Sequence, residues 1–109
     1  MGYRYKIIVA PFLKVSGMAL FPFILVNNKG LLTDAILLNH ERIHLKQQAE
    51  LLVIPFYVLY LINYLINIAK YRNHDKAYLN IVFEREAYAK DTDPGYLNCR
   101  KMYSWLRYF

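Results

Sequence analysis

Cysteine is nearly missing from this chain: Cys99 stands alone among 109 residues. No intrachain disulfide can form, and a structural zinc site made of several cysteines is excluded. Glycine and proline number only four each, and no internal repeat, low-complexity tract or second domain is visible. Acidic residues are also scarce, eight against fourteen lysines and arginines, which leaves a net charge of +6. The basic residues do not form a run. Arg4, Lys6 and Lys14 lie near the start, Lys70 and Arg72 in the middle, and Arg100, Lys101 and Arg107 near the end. That scatter argues against a nucleic-acid partner. Basic residues interleaved with tyrosine, as in Tyr3-Arg4-Tyr5-Lys6, fit a membrane surface at least as well.

Apolar residues are what the chain has in excess. They make up 57% of it, with eleven tyrosines and six phenylalanines, above the usual share of about 45–50%. The length suits one domain, residues 1–109, with a modest core. So much apolar surface on a short chain calls for a membrane, an oligomer or a dense core.

The string His40-Glu41-Arg42-Ile43-His44 reads H-E-x-x-H. On a helix, residues four apart share one face, about 6 Å apart along the axis. Two imidazoles so placed can hold one zinc ion, and the glutamate beside the first can act as general base toward the metal's water. The surroundings predict a helix over residues 33–50. Thr33 and Asp34 are candidate N-caps after the breaker Asn27-Asn28-Lys29-Gly30, and no glycine or proline follows until after Val53. Ile36, His40, Ile43, His44, Gln47 and Leu51 fall on one stripe, so both histidines turn inward.

A catalytic zinc normally has three protein ligands and an open position. Glu50, His74, Glu84 and Glu86 are the candidates for the third. His74 lies in the polar run Lys70 to Lys76, which reads as a loop. Glu84 and Glu86 lie in Phe83-Glu84-Arg85-Glu86-Ala87-Tyr88-Ala89, part of a predicted glutamate helix over residues 78–91. Residues two apart point about 200° from one another, so only one of them can face the histidines. Each has an alanine three positions on, Ala87 or Ala89, which allows close helix packing. Both glutamates could equally be solvated, or balance Arg85 and Lys90.

The pair His40-Glu41-x-x-His44 with a later glutamate helix resembles the gluzincin class of zinc metallopeptidases. More narrowly, His40-Glu41-x-x-His44-x-x-Gln47-Gln48 with Glu84-Arg85-Glu86-Ala87 is similar to small bacterial zincin-like proteins that pair an HExxHxxQQ helix with an ExEA helix. The resemblance covers Thr33 to Lys90. It implies Glu84 as the ligand, Glu86 as the alternative, and Ala87 as the packing residue. Tyr88 departs from the pattern, which has an acid at that place. The extended metzincin motif would instead put its last ligand at Glu50, but Gln47 stands where that motif needs glycine.

Around this motif the chain predicts an α+β domain, mainly helical. Residues 1–32 carry apolar stretches at Tyr3–Ala10 and Met18–Val26, read as a short β-hairpin or edge strand, with Pro22 demoting part of the second. The resemblance implies that Phe21 to Val26 form an edge strand beside the active site, where substrate adds as a further strand. The start makes no convincing signal peptide, since Lys14 breaks its apolar stretch. Leu51 to Ala69 carries no charge over nearly the ~20 residues that span a bilayer. It is a transmembrane or re-entrant helix, an in-plane interfacial helix, or a buried core helix. Asn63 and Asn67, four apart, share a face that can point at protein. Asp91-Thr92-Asp93-Pro94-Gly95 is a turn. The basic aromatic segment 96–109 is either an interfacial anchor or a cap in which Met102, Trp105 and Leu106 cover the core.

These readings lead to an expected zinc-dependent metallopeptidase, membrane-associated or else cytoplasmic, acting on peptide or unfolded protein. Zinc would be held by His40, His44 and Glu84, with Glu41 as the catalytic base. Tyr88, Tyr78 and His74 are candidates to stabilise the oxyanion. The rival expectation is a non-catalytic membrane or interaction protein that keeps the zincin scaffold.

Overall fold

Asp34 fixes where the first long helix begins. In the computed structural model, which describes residues 6–109, its carboxylate accepts a hydrogen bond from Leu37 N at 3.0 Å. That bond satisfies one of the amides left free at a helix N-terminus. Helix α1 then runs Ala35–Leu51. Pro55 ends it, because proline lacks an N–H and its ring crowds the carbonyl four residues back, that of Leu51. Leu52 takes the break at φ 68° and ψ 157°, a conformation that costs a non-glycine residue about 1–3 kcal/mol. Helix α2 follows at Val53–Tyr71, then α3 at His74–Leu79, α4 at Val82–Lys90 and α5 at Tyr96–Cys99. Short 3-10 turns occupy Lys29–Thr33 and Ser104–Tyr108.

The N-terminal part is a three-stranded sheet of β1 (Lys6–Val9), β2 (Gly17–Leu20) and β3 (Phe23–Val26), in the order β1-β3-β2. β2 and β3 form the expected hairpin, with Gly17 opposite Val26 and Leu20 opposite Phe23. β1 lies parallel to β3, with Lys6 opposite Phe23 and Val9 opposite Val26. The expected edge strand over Phe21 to Val26 is therefore corrected. Phe23–Val26 is the central strand, its hydrogen-bonding groups engaged on both sides, so no further strand can add to it. Pro22 sits in the turn before it. Tyr3, Arg4 and Tyr5, which open the first apolar stretch, lie outside the described residues.

The fold is α+β and mainly helical, with two apolar clusters. In one, Ala19, Ile24 and Val26 of the sheet pack on Leu45 of α1. The other joins Phe56 of α2, Ile81, Val82 and Phe83 at the start of α4, and Trp105. Two sequence boundaries move. The run Lys70 to Lys76 is not a loop: α2 extends through Tyr71, and α3 starts at His74 after an Asn73 side chain caps Lys76 N at 3.0 Å. The glutamate helix starts at Val82, not at residue 78, because the chain leaves helical geometry at Ile81. The segment 96–109 divides its roles. Trp105 is buried against Phe83, whereas Met102, Leu106 and Phe109 are exposed.

Helix α2 is amphipathic in an unusual sense. Its inward face carries Phe56, Tyr57, Tyr60, Asn63, Tyr64 and Asn67, and these tie it to the rest of the fold. Asn63 Oδ1 accepts from Val82 N at 2.8 Å and so caps α4, while Asn67 donates to Ala77 O at 3.1 Å. Tyr57 O–H donates to Ala19 O on β2. The outward face is aliphatic: Ile54, Val58, Leu61, Ile62, Leu65 and Ile66 are all exposed. The helix is long and apolar enough to cross a membrane, yet only Phe56 and Asn67 are fully buried within it.

Candidate metal centre

The stripe expected on α1 is where the buried polar groups collect. His40 and His44 are each 6% exposed, and Gln47 is fully enclosed. Helix α4 crosses this stripe and presents Glu84, itself 4% exposed. The two imidazole Nε2 atoms each lie 3.0 Å from the same oxygen, Glu84 Oε1. One candidate ligand atom from each of the three residues falls within 4.8 Å of the others. The other carboxylate oxygen of Glu84 accepts from Tyr60 O–H at 2.6 Å, which fixes its orientation.

Both imidazoles are held from behind. His40 Nδ1 lies 3.1 Å from Asp91 Oδ2, and His44 Nδ1 lies 2.8 Å from Gln47 Oε1. A carboxylate and an amide oxygen only accept, so Nδ1 carries a proton in both rings, and Nε2, which faces Glu84, is the nitrogen left to meet a cation. Asp91 was not singled out from the sequence. The acid expected four residues after Glu84 is Tyr88, whose ring instead packs edge-on against His40 with centroids 4.4 Å apart. Asp91 stands three positions further, close to one turn on, and reaches the same ring from the helix end. A carboxylate one turn past the departure from the pattern was the signal available.

The remaining candidates are placed elsewhere. Glu50 grips Arg100 with both oxygens, at 2.7 and 3.0 Å, and also accepts from Tyr103 N. Glu86 is neither solvated nor beside the histidines. It is fully buried and bonded to Arg100, Tyr96 and Gln47. His74 bonds Tyr64 at 2.9 Å on the α2–α3 side. Among the oxyanion candidates, Tyr88 lies against His40 and Tyr78 bonds Tyr88, hydroxyl to hydroxyl, at 3.1 Å. Burial and nearby Glu84 raise both tyrosines above their ordinary pKa, so both keep their protons at neutral pH.

The electrostatics of the cluster favour a positive charge at its focus. Burial alone would raise Glu84, but His44 and His40 hold its carboxyl well below the usual range. Burial would depress His44, yet Glu84 overrides it and pushes the imidazole up to about 9. Glu41 differs from the other buried acids. It is 6% exposed and accepts no hydrogen bond from any described residue. Its burial raises its pKa, against the pull of His44 and His40. Among the described residues nothing donates to it, although it lies beside two imidazoles whose charge acts on it.

The donor set fits a zinc ion. Tetrahedral bonds of about 2.0–2.2 Å put ligand atoms roughly 3.3–3.5 Å apart, so the two 3.0 Å separations from Glu84 would open slightly and the wider spread, up to 4.8 Å, would close around an ion. No family model matches the chain, and comparison with curated proteins and with solved structures also finds no match.

Proposed function

We propose that the protein is a minimal zinc-dependent metallopeptidase of gluzincin type, associated with a membrane surface. The observation that carries this reading is the convergence of His40 Nε2, His44 Nε2 and one oxygen of Glu84, with Glu41 buried beside them and given no hydrogen bond by any described residue. Zinc held by these three would act as a Lewis acid and bring the pKa of its water to about 7. The protein's own part is as follows. His40 and His44 offer Nε2 lone pairs because their Nδ1 protons are engaged. Glu41 takes a proton onto its carboxylate from the attacking water and passes it to the leaving amine. Tyr88 O–H, steadied by Tyr78, stands beside His40 to donate toward the developing oxyanion.

Metal content tests this reading. The purified protein should hold one zinc per chain. With zinc at a hundredfold excess over its Kd, chelation should remove about 2.7 kcal/mol of stability, roughly a 10–20 °C fall in Tm for a chain of this size. Zinc uptake should also expel a proton. His44, with its pKa near 9, is protonated in the metal-free protein at pH 7, so zinc affinity should rise with pH until about 9. A protein that holds no zinc and melts identically in chelator is instead the non-catalytic scaffold.

The membrane part rests on α2. Its inward face bonds to β2, α3 and α4 along its length, while its outward face offers only aliphatic side chains. Lys70 and Arg72 at its end, with Lys70 over the Tyr71 ring at 5.2 Å, suit anionic headgroups. This arrangement supports a helix lying in the interface rather than one leaving the fold to span. The protein should float with vesicles containing anionic lipid and stay bound in 1 M salt, where exposed charge contacts are screened. A Leu61→Glu, Leu65→Glu variant should remain in solution. Release by salt alone would assign the attachment to charge and not to this face.

A further inference from the structure

Gln47 sits one turn after His44 on the buried stripe, and its amide has no freedom of orientation. Its Nε2 donates to Phe83 O at 3.1 Å and to Glu86 Oε1 at 3.0 Å, both pure acceptors. Its Oε1 must therefore point at His44 Nδ1. A flipped amide would set N–H against N–H at the histidine and oxygen against oxygen at Phe83 and Glu86. Glu86 is in turn pinned by Arg100, whose Nε donates to Glu86 Oε2 at 2.5 Å and whose NH2 nitrogen donates to Oε1 at 3.1 Å. Tyr96 O–H donates to the same carboxylate at 2.5 Å. NH1 and NH2 also donate to the two oxygens of Glu50, back on α1. The side chain of Arg100 is 2% exposed and that of Glu86 is fully buried.

We infer that Gln47 is the positioning residue for His44, and that Glu86 and Arg100 of the C-terminal segment hold Gln47 in its acting orientation. The inference rests on the metal-binding reading above and assigns it a dependence that the motif does not contain. The imidazole nearest the end of the H-E-x-x-H string is aimed by a residue outside α1 and α4, through two intermediaries. A purely structural network would stabilise the fold without acting on which nitrogen of His44 is free. This one places a hydrogen-bond acceptor on Nδ1, and so leaves Nε2 as the ligating atom.

The test uses zinc alone as the probe and the full chain as the protein. Gln47→Met keeps the bulk and removes all three side-chain hydrogen bonds. It should weaken zinc binding by about 10–100-fold, and the slowly exchanging Nδ1–H resonance of His44 in the zinc-loaded protein should be lost. Arg100→Lys, which keeps the charge but not the fork, should weaken zinc binding in the same direction by a smaller factor. The double exchange Gln47→Glu with Glu86→Gln restores an acceptor for His44 and a donor toward it at unchanged net charge, and should recover most of the affinity. It also covers the case in which Gln47→Met does not fold. Wild-type affinity and an unchanged His44 resonance in folded Gln47→Met overturn the inference, as does a folded double exchange no better than Gln47→Glu alone. A wild-type protein that takes up no zinc overturns the metallopeptidase reading itself, an outcome separable from these because it needs no variant.

Discussion

Glu41→Gln should lower peptide hydrolysis by ~10²–10⁴-fold, the usual contribution of a positioned general base, while zinc content and Tm stay at the wild-type level. The structure makes this substitution unusually clean. Glu41 accepts no hydrogen bond from a described residue, so a neutral amide of the same shape breaks no pairing. Losing the charge removes a buried carboxylate whose burial already disfavours ionisation. Stability should therefore hold or rise slightly. The measurement is turnover of an unstructured peptide with zinc quantified in the same sample. Wild-type turnover with full zinc would remove Glu41 from the role of base.

The second large effect is expected at Glu84. Glu84→Ala should reduce zinc affinity by more than the roughly 10–100-fold typical of an outer hydrogen-bond partner, because it deletes a ligand. It also strands three groups that now share this carboxylate: His40, His44 and Tyr60. A buried polar group without a partner costs about 1–3 kcal/mol, so the metal-free variant should melt well below wild type. Glu84→Gln separates the two effects. It keeps an acceptor oxygen and should fold nearly as well, yet hold zinc poorly. Competition with a chromogenic chelator gives the affinities. Glu84→Ala with wild-type affinity would mean that the metal, if bound, uses another carboxylate.

Much of the centre could be read from spacing. His40 and His44 are four apart, and a helix cap at Asp34 makes that spacing a shared face. No tertiary information was needed for it. The choice between Glu84 and Glu86 was different. Each has an alanine three residues on, Ala87 or Ala89, and both are buried, so local pattern offers no distinction. What separates them is Arg100, far along the chain, which takes Glu86 and leaves Glu84 for the histidines. Asp91 was missed because it is the residue that ends α4, one turn past Tyr88, where the pattern places no partner for a histidine. The sheet was half legible. The apolar stretches could suggest strands, with Pro22 demoting part of the second, but not that Phe21-Pro22 would be the turn dividing it into β2 and β3, nor that β1 would pair parallel to β3 and turn it into the middle strand. Parallel pairing joins segments distant in sequence and leaves no turn signature.

The two adjacent glutamines after the histidines turn in opposite directions. Gln47 serves the imidazole, while Gln48 reaches the rim of β2, taking Phe21 N–H on its oxygen at 2.7 Å and giving its own N–H to Ala19 O at 2.9 Å. That amide imitates one peptide unit of a neighbouring chain and occupies the berth such a chain would use. A strand adding to this edge of β2 would first have to evict it.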